Sequence, residues 1–167
     1  AGQMDYTPGG FLKVTQKQFK LQSPTLVSNT RAAELAKFVV YESPFMCFCE
    51  HPDNVYGQVG EDFLQKVPTT WDNIKFLGGT PDTYIALAKK TGEQWYVGII
   101  NNSQQRTINL DLSFLPKGNY RLEFWKDGKK ANSVATDCEH KIIKISSAKA
   151  LNVKLANAGG YVCVISK

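Results

Sequence analysis

No run of about 18 apolar residues occurs in the 167-residue chain, so no segment has the sequence of a membrane-spanning helix. The opening Ala1-Gly-Gln-Met-Asp-Tyr6 has no basic region and no apolar stretch, and does not read as a secretory leader. It runs straight into patterned sequence, so the chain is expected to be part of a longer polypeptide. Cysteine is sparse. Cys47, Cys49, Cys138 and Cys163 fall well short of a disulfide scaffold, and cysteine usage sets no compartment. Histidine is sparser still, with only His51 and His140; no nucleophile elbow or triad pattern surrounds either, and both are expected on the surface or in loops. Internal repeats and low-complexity segments are absent.

What is present is globular: 43% hydrophobic and 21% charged residues, enough to bury a core. The net charge of +5 comes from scattered lysines that seldom interleave with aromatics, so no phosphate-tracking groove is expected and nucleic acid is not an expected partner.

The pattern changes near residue 70. Before it, Thr7-Pro8-Gly9-Gly10 and Ser23-Pro24 punctuate a long irregular connection. Ser28, Asn29 or Thr30 can cap a helix whose Leu35, Phe38 and Val39 recur at helical spacing, and Glu42-Ser43-Pro44 ends it. Phe45-Met-Cys-Phe-Cys49 is a short apolar run suited to a strand buried on both faces, and a second helix is expected over about Val59–Val67. Loop, helix, buried strand, helix is the rhythm of a βα-barrel or a doubly wound sheet, of which two units are only a part.

After residue 70 the period is two. Tyr84–Ala88 and Trp95–Ile100 flank Lys90-Thr-Gly-Glu93 as a hairpin; alternating strands follow around Ile108–Leu112, Tyr120–Phe124, Lys141–Ser146, Ala150–Leu155 and Tyr161–Ser166. Closely spaced strands of this kind make an antiparallel sandwich.

Three groups bear on chemistry. Cys47-x-Cys49-x-His51 would share one strand face, but no second Cys/His pair sits at zinc spacing, so the cysteines are expected to be buried as small hydrophobes. Asp5 and Tyr6 precede a long loop, the way barrel enzymes present groups at the carboxy-terminal face, and Glu50 occupies the matching place after the apolar run. Two carboxylates at two strand ends are what a glycosidase uses to flank a sugar, although spacing alone does not bring them together. Asn101-Asn102-Ser103 matches a glycosylation acceptor that is common by chance.

Met4-Asp-Tyr-Thr-Pro-Gly9, Thr30-Arg31, Val39-Val-Tyr-Glu-Ser-Pro44, Phe63-Leu64-x-x-Val67-Pro-Thr-Thr-Trp-Asp72, Trp95-Tyr-Val-Gly98 and Gly159-Gly-Tyr161 together resemble glycoside hydrolase family 97 along nearly the whole chain. The resemblance implies an α-glucosidase or α-galactosidase with an amino-terminal β-sandwich, a (β/α)8 TIM barrel and a carboxy-terminal β domain. Residues 1–69 would be the end of the barrel: Met4–Asp5 closing strand seven, Thr30–Tyr41 the helix, and Pro44–Cys49 strand eight. Residues 70–167 would be the antiparallel β-sandwich.

The catalytic carboxylates and the glutamates that hold calcium in the family lie upstream of the Met4–Gly9 motif, so no catalytic and no metal-binding residue is expected here. Asp5, Tyr6 and Glu50 are the candidates for touching substrate, though relatives tend to carry aspartate where Glu50 stands. The expected partners are the amino-terminal remainder of the enzyme and an oligosaccharide; the resemblance further implies calcium and a periplasmic location. The rival reading is a carbohydrate-binding or purely structural module, for which Trp71, Trp95 and Trp125 are the sugar-stacking candidates and Trp125 the one out of phase with its strand's core residues.

Overall fold

The computed structural model describes residues 5–21, 26–147 and 149–167. Met4 and Ser23-Pro24, which entered the reading above, lie outside these. The frame is a six-stranded antiparallel sheet built from β1 (Asn73–Thr80), β2 (Tyr84–Thr91), β3 (Gln94–Asn101), β5 (Asn119–Asp127), β6 (Cys138–Ser146) and β8 (Gly160–Ser166), in the order β1-β2-β3-β8-β5-β6. A separate pair, β4 (Arg106–Leu110) with β7 (Leu151–Leu155), packs on one face and makes the domain sandwich-like. Helix α1 (Arg31–Val40) and the short α2 (Glu61–Leu64) lie on the other.

Period-two alternation sends side chains to two cores. Val97, Ile99, Cys163 and Ile165 meet Ile108, Leu110, Val153 and Leu155 of the β4–β7 pair. Tyr96, Val162, Val164 and Trp125 meet Leu35, Phe38 and Val39 of α1 and Phe63 of α2. The central strands β3 and β8 are therefore buried on both faces, which explains their nearly continuous apolar sequence. Gly98 lies under α1, where a Cβ would stand 2.8 Å from Val39 Cβ, so glycine permits the close approach of helix and sheet.

α1 begins where its cap chemistry predicts. Thr30 accepts the Ala33 N–H at 3.1 Å and gives its hydroxyl proton to Asp127 Oδ1 at 2.6 Å, joining helix capping to the sheet. Asp127 Oδ2 accepts the Ala156 and Gly160 N–H groups, and burial pushes its carboxyl up to about 6 against those three donors.

Three expectations are corrected. The second helix is only four residues long, entered from Gly60 at φ 105°, which permits the left-handed start. Phe45–Cys49 is not buried on both faces: Phe45 is 70% exposed, and Phe48, Cys47 and Cys49 are also exposed. This segment pairs along one edge only, parallel to residues 6–9 at Tyr6–Met46 and Gly9–Cys49, so its cysteines are not interior hydrophobes among the described residues. Strand β1 was not anticipated, because Gly78-Gly79 interrupts its alternation. Here a bulge falls between Phe76 and Gly78, and a Cβ on Gly79 would collide with the Tyr84 carbonyl.

Candidate functional site

Asp5 and Tyr6 stand at the start of the parallel pair, and Glu50 at its end. The pair is held by backbone bonds from Cys47 N to Tyr6 O (3.1 Å), Cys49 N to Pro8 O (2.8 Å) and Gly10 N to Cys49 O (3.1 Å). Asp5 is exposed, and the half-buried Tyr6 packs its ring on Tyr41 at 4.2 Å, just past the end of α1.

Glu50 is committed to the chain around it. Its Oε2 accepts the Phe11 N–H (2.7 Å) and Leu12 N–H (3.2 Å); its Oε1 accepts the His51 N–H (2.9 Å) and the Asn54 amide (2.8 Å). Burial acts to raise this carboxyl, but the Asn54 amide and the three backbone N–H groups together hold it below the ordinary range. The side chain thus fastens the loop after the first paired segment to the turn after the second. Sequence spacing foresaw the position but not this set of partners, because its donors are backbone groups.

A second carboxylate, which sequence reasoning missed, holds the same loop from inside. Glu34 on α1 accepts the Gly9 N–H at 2.9 Å, Lys13 Nζ at 2.8 Å and the Asn29 amide at 2.9 Å, and pairs with Lys37 at 3.0 Å. Glu34 and Lys13 side chains are almost fully buried. Desolvation acts to raise Glu34, but Lys13, Lys37 and the Gly9 N–H outweigh it and keep it low; desolvation brings Lys13 down to about 8. Glutamate four residues after a helix cap is a common surface residue, so nothing in the sequence flagged it.

The tryptophans do not form a sugar platform. Trp125, the candidate of the rival reading because it is out of phase with its strand's core residues, is fully buried: it lies flat against His140 at 4.6 Å, donates its indole N–H to Asp62 at 3.1 Å and carries Lys66 over its ring. The strand's apparent phase misleads because β5 is covered on both faces. Trp95 is buried in the sandwich core, and Trp71 packs edge-on to Tyr96.

Asp62, Glu123 and His140 converge closely enough to be considered for a metal. They do not suit calcium, which takes six to eight oxygens. The group offers a ring nitrogen and two carboxylates, with Lys66 Nζ already 3.0 Å from Glu123 and the Trp125 N–H on Asp62. It is an ion-pair network seating α2 on the sheet.

The described residues form an antiparallel, sandwich-like sheet domain with a helix and a short parallel pairing packed on one face. Comparison with known proteins gives the family. The family model described as "Glycosyl-hydrolase 97 C-terminal, oligomerisation" matches residues 70–166. The chain belongs to glycoside hydrolase family 97. It is 34% identical over 163 residues to a retaining alpha-galactosidase of Bacteroides thetaiotaomicron, covering 96% of this chain and 25% of that protein. A family 97 enzyme from Pseudoalteromonas sp. strain K8, solved in complex with acarbose, is 30% identical with a TM-score of 0.87 over 99% of this chain and 26% of that one. A β-arabinopyranosidase, 24% identical with a TM-score of 0.72 over 93% of this chain and 24% of its own, shares the fold. The chain spans about a quarter of the length of the relatives it matches.

Proposed function

We propose that this chain is the carboxy-terminal part of an α-glycosidase acting on α-galactosides or α-glucosides in oligosaccharides. In that enzyme residues 1–69 complete a (β/α)8 barrel and residues 70–167 buttress it. The observation carrying this reading is the parallel pair of residues 6–9 and 46–49, joined through α1, with one edge of Phe45–Cys49 left unpaired among the described residues and Phe45 bare. Such an edge calls for further parallel strands. Family membership and the length of the relatives supply the rest.

In this reading the catalytic carboxylates lie upstream, and Asp5 and Tyr6 belong to the pocket rim. Glu50 acts as a positioning residue, holding the loop after Gly9 through its contacts to Phe11 and Leu12. A calcium ion near the sugar and a periplasmic location belong to the same proposal on the strength of the family alone; the described residues here do not fit the ion, and no step is assigned to it.

The test is hydrolysis of aryl α-galactoside and α-glucoside by the whole gene product and by the 167-residue chain. Turnover is expected from the first and not from the second. Ordinary turnover by the 167 residues alone would overturn the division of labour.

A further inference from the structure

Lys13, Lys89 and Arg31 each bury a cationic side chain. A buried charge is costly unless a counter-charge meets it. Lys13 has Glu34 at 2.8 Å and Lys89 has Glu42 at 2.8 Å. Arg31 is only 5% exposed, yet among the described residues its contacts are all neutral. Nη1 donates to the Gln58 amide oxygen at 3.0 Å, Nη2 donates to the Phe11 carbonyl at 3.3 Å, and the guanidinium lies 4.8 Å from the centre of the Phe11 ring. The buried Nε–H has no acceptor. A guanidinium carries five N–H donors, so two bonds leave most of them without a protein partner. The Cys138 thiol, the titratable group that acts on Arg31, is pushed up to about 12 by burial and supplies no charge at ordinary pH.

Arg31 lines a hollow of about 510 Å³ together with Lys13, Asn54, Gln58 and Thr136. The acid on the same wall, Asp53, does not serve as the counter-ion: its side chain is 81% exposed and stands 3.5 Å from His51. Glu34 already balances Lys13, so the buried charge left uncompensated is that of Arg31. The guanidinium is also held in place before any ligand arrives. Arg31 opens α1, its backbone N–H bonds the Ala135 carbonyl at 2.9 Å, and Thr30 caps the same turn. A hollow of this size falls in the range that holds small molecules, with room for a sugar ring as well as for an inorganic ion.

We propose that this hollow is an oxyanion site, in which Arg31 supplies the charge and the unpartnered N–H donors. The group it takes is a sulfate, a phosphate or a carboxylate, carried by a free inorganic ion or by an acidic sugar. The site is built from this chain's own residues and does not depend on the function proposed above.

The test is thermal unfolding of the whole gene product at fixed ionic strength, with sodium sulfate, sodium phosphate and sodium glucuronate as probes. At least one probe should raise the unfolding temperature along a saturable binding curve, by about 1–3 °C at ten times its Kd. A response to sulfate or phosphate alone identifies a free inorganic ion; a response to glucuronate identifies an acidic sugar. Gln58→Glu sets a carboxylate beside Nη1, so this variant should melt above the parent without any probe and should lose the response. Arg31→Gln should lose the response too; if that variant does not fold, Gln58→Glu carries the comparison. A rise that climbs with concentration and never levels off is the general effect of an excluded salt and would overturn the site. So would a full response in Gln58→Glu, or no response to any of the three probes, which would leave water to fill the hollow.

Discussion

Replacing Thr30 by valine removes one hydroxyl and two hydrogen bonds while keeping the side chain's shape. The hydroxyl caps α1 by accepting the Ala33 N–H at 3.1 Å, and loss of such a cap costs about 1 kcal/mol. It also donates to buried Asp127 at 2.6 Å, and withdrawing one donor from a buried carboxylate costs about 1–3 kcal/mol. Together these amount to about 3 kcal/mol, a fall of roughly 6–12 °C in unfolding temperature for a domain of this size. Thr30→Ser keeps both bonds and should stay close to the parent. The loss should be larger at pH 8, where Asp127 is ionised, than at pH 5, below its value of about 6. Calorimetry on the parent and both variants at the two pH values is the assay. A valine variant melting within about 1 °C of the parent at pH 8 would refute the claim that this hydroxyl joins helix and sheet.

Asp127 itself makes stability pH-dependent: its folded value of about 6 lies above the ordinary 3.8, so the folded state holds a proton that the unfolded chain releases. Its contribution is fullest below about pH 4 and is lost as pH rises through about 6, by at most about 3 kcal/mol, and Asp127→Asn should flatten that part of a urea-unfolding pH series. Glu34→Gln leaves Lys13 buried without its counter-charge and should cost about 3–5 kcal/mol by urea unfolding; a cost below about 1 would contradict the buried pair. Gly160→Ala puts a Cβ against Ala33 Cα and 2.6 Å from Ala33 N, backbone atoms that cannot swing aside, so about 1–3 kcal/mol should be lost in thermal unfolding.

Where local rules decide, the sequence was readable. Thr30 starts α1 and Pro44 lies just past its end; Gly92 at φ 53° turns the β2–β3 hairpin; Ile108 and Leu110 alternate as β4 requires. Partnership between distant segments was not readable. Alternation made β4 and β7 strands but carried no sign that they leave the main sheet to pair with each other. Apolar run length did not decide burial by itself: β3 and β8 are buried on both faces by α1 and the β4–β7 pair, whereas Phe45–Cys49, with a similar composition, leaves Phe45, Cys47, Phe48 and Cys49 exposed. Trp125 shows the same limit, since its cover comes from Phe63, Asp62 and Lys66, about sixty residues away in the chain.

The candidate site was legible as positions more than as roles. Asp5 and Tyr6 stand at the start of the parallel pair and Glu50 at its end, so the two carboxylates do not share the matching strand ends that the spacing suggested. That Glu50 is occupied by four donors, and that Glu34 grips the same loop from the helix, depends on backbone N–H groups no residue pattern encodes.

The most direct test of the central claim is the intact mass of the natural gene product, measured with its activity on an aryl α-galactoside. A product about four-fold larger than 18.6 kDa that hydrolyses the glycoside is the expected result, in line with relatives of which this chain spans a quarter. An 18.6 kDa product would contradict it and leave the bare edge of Phe45–Cys49 without the strands the account requires.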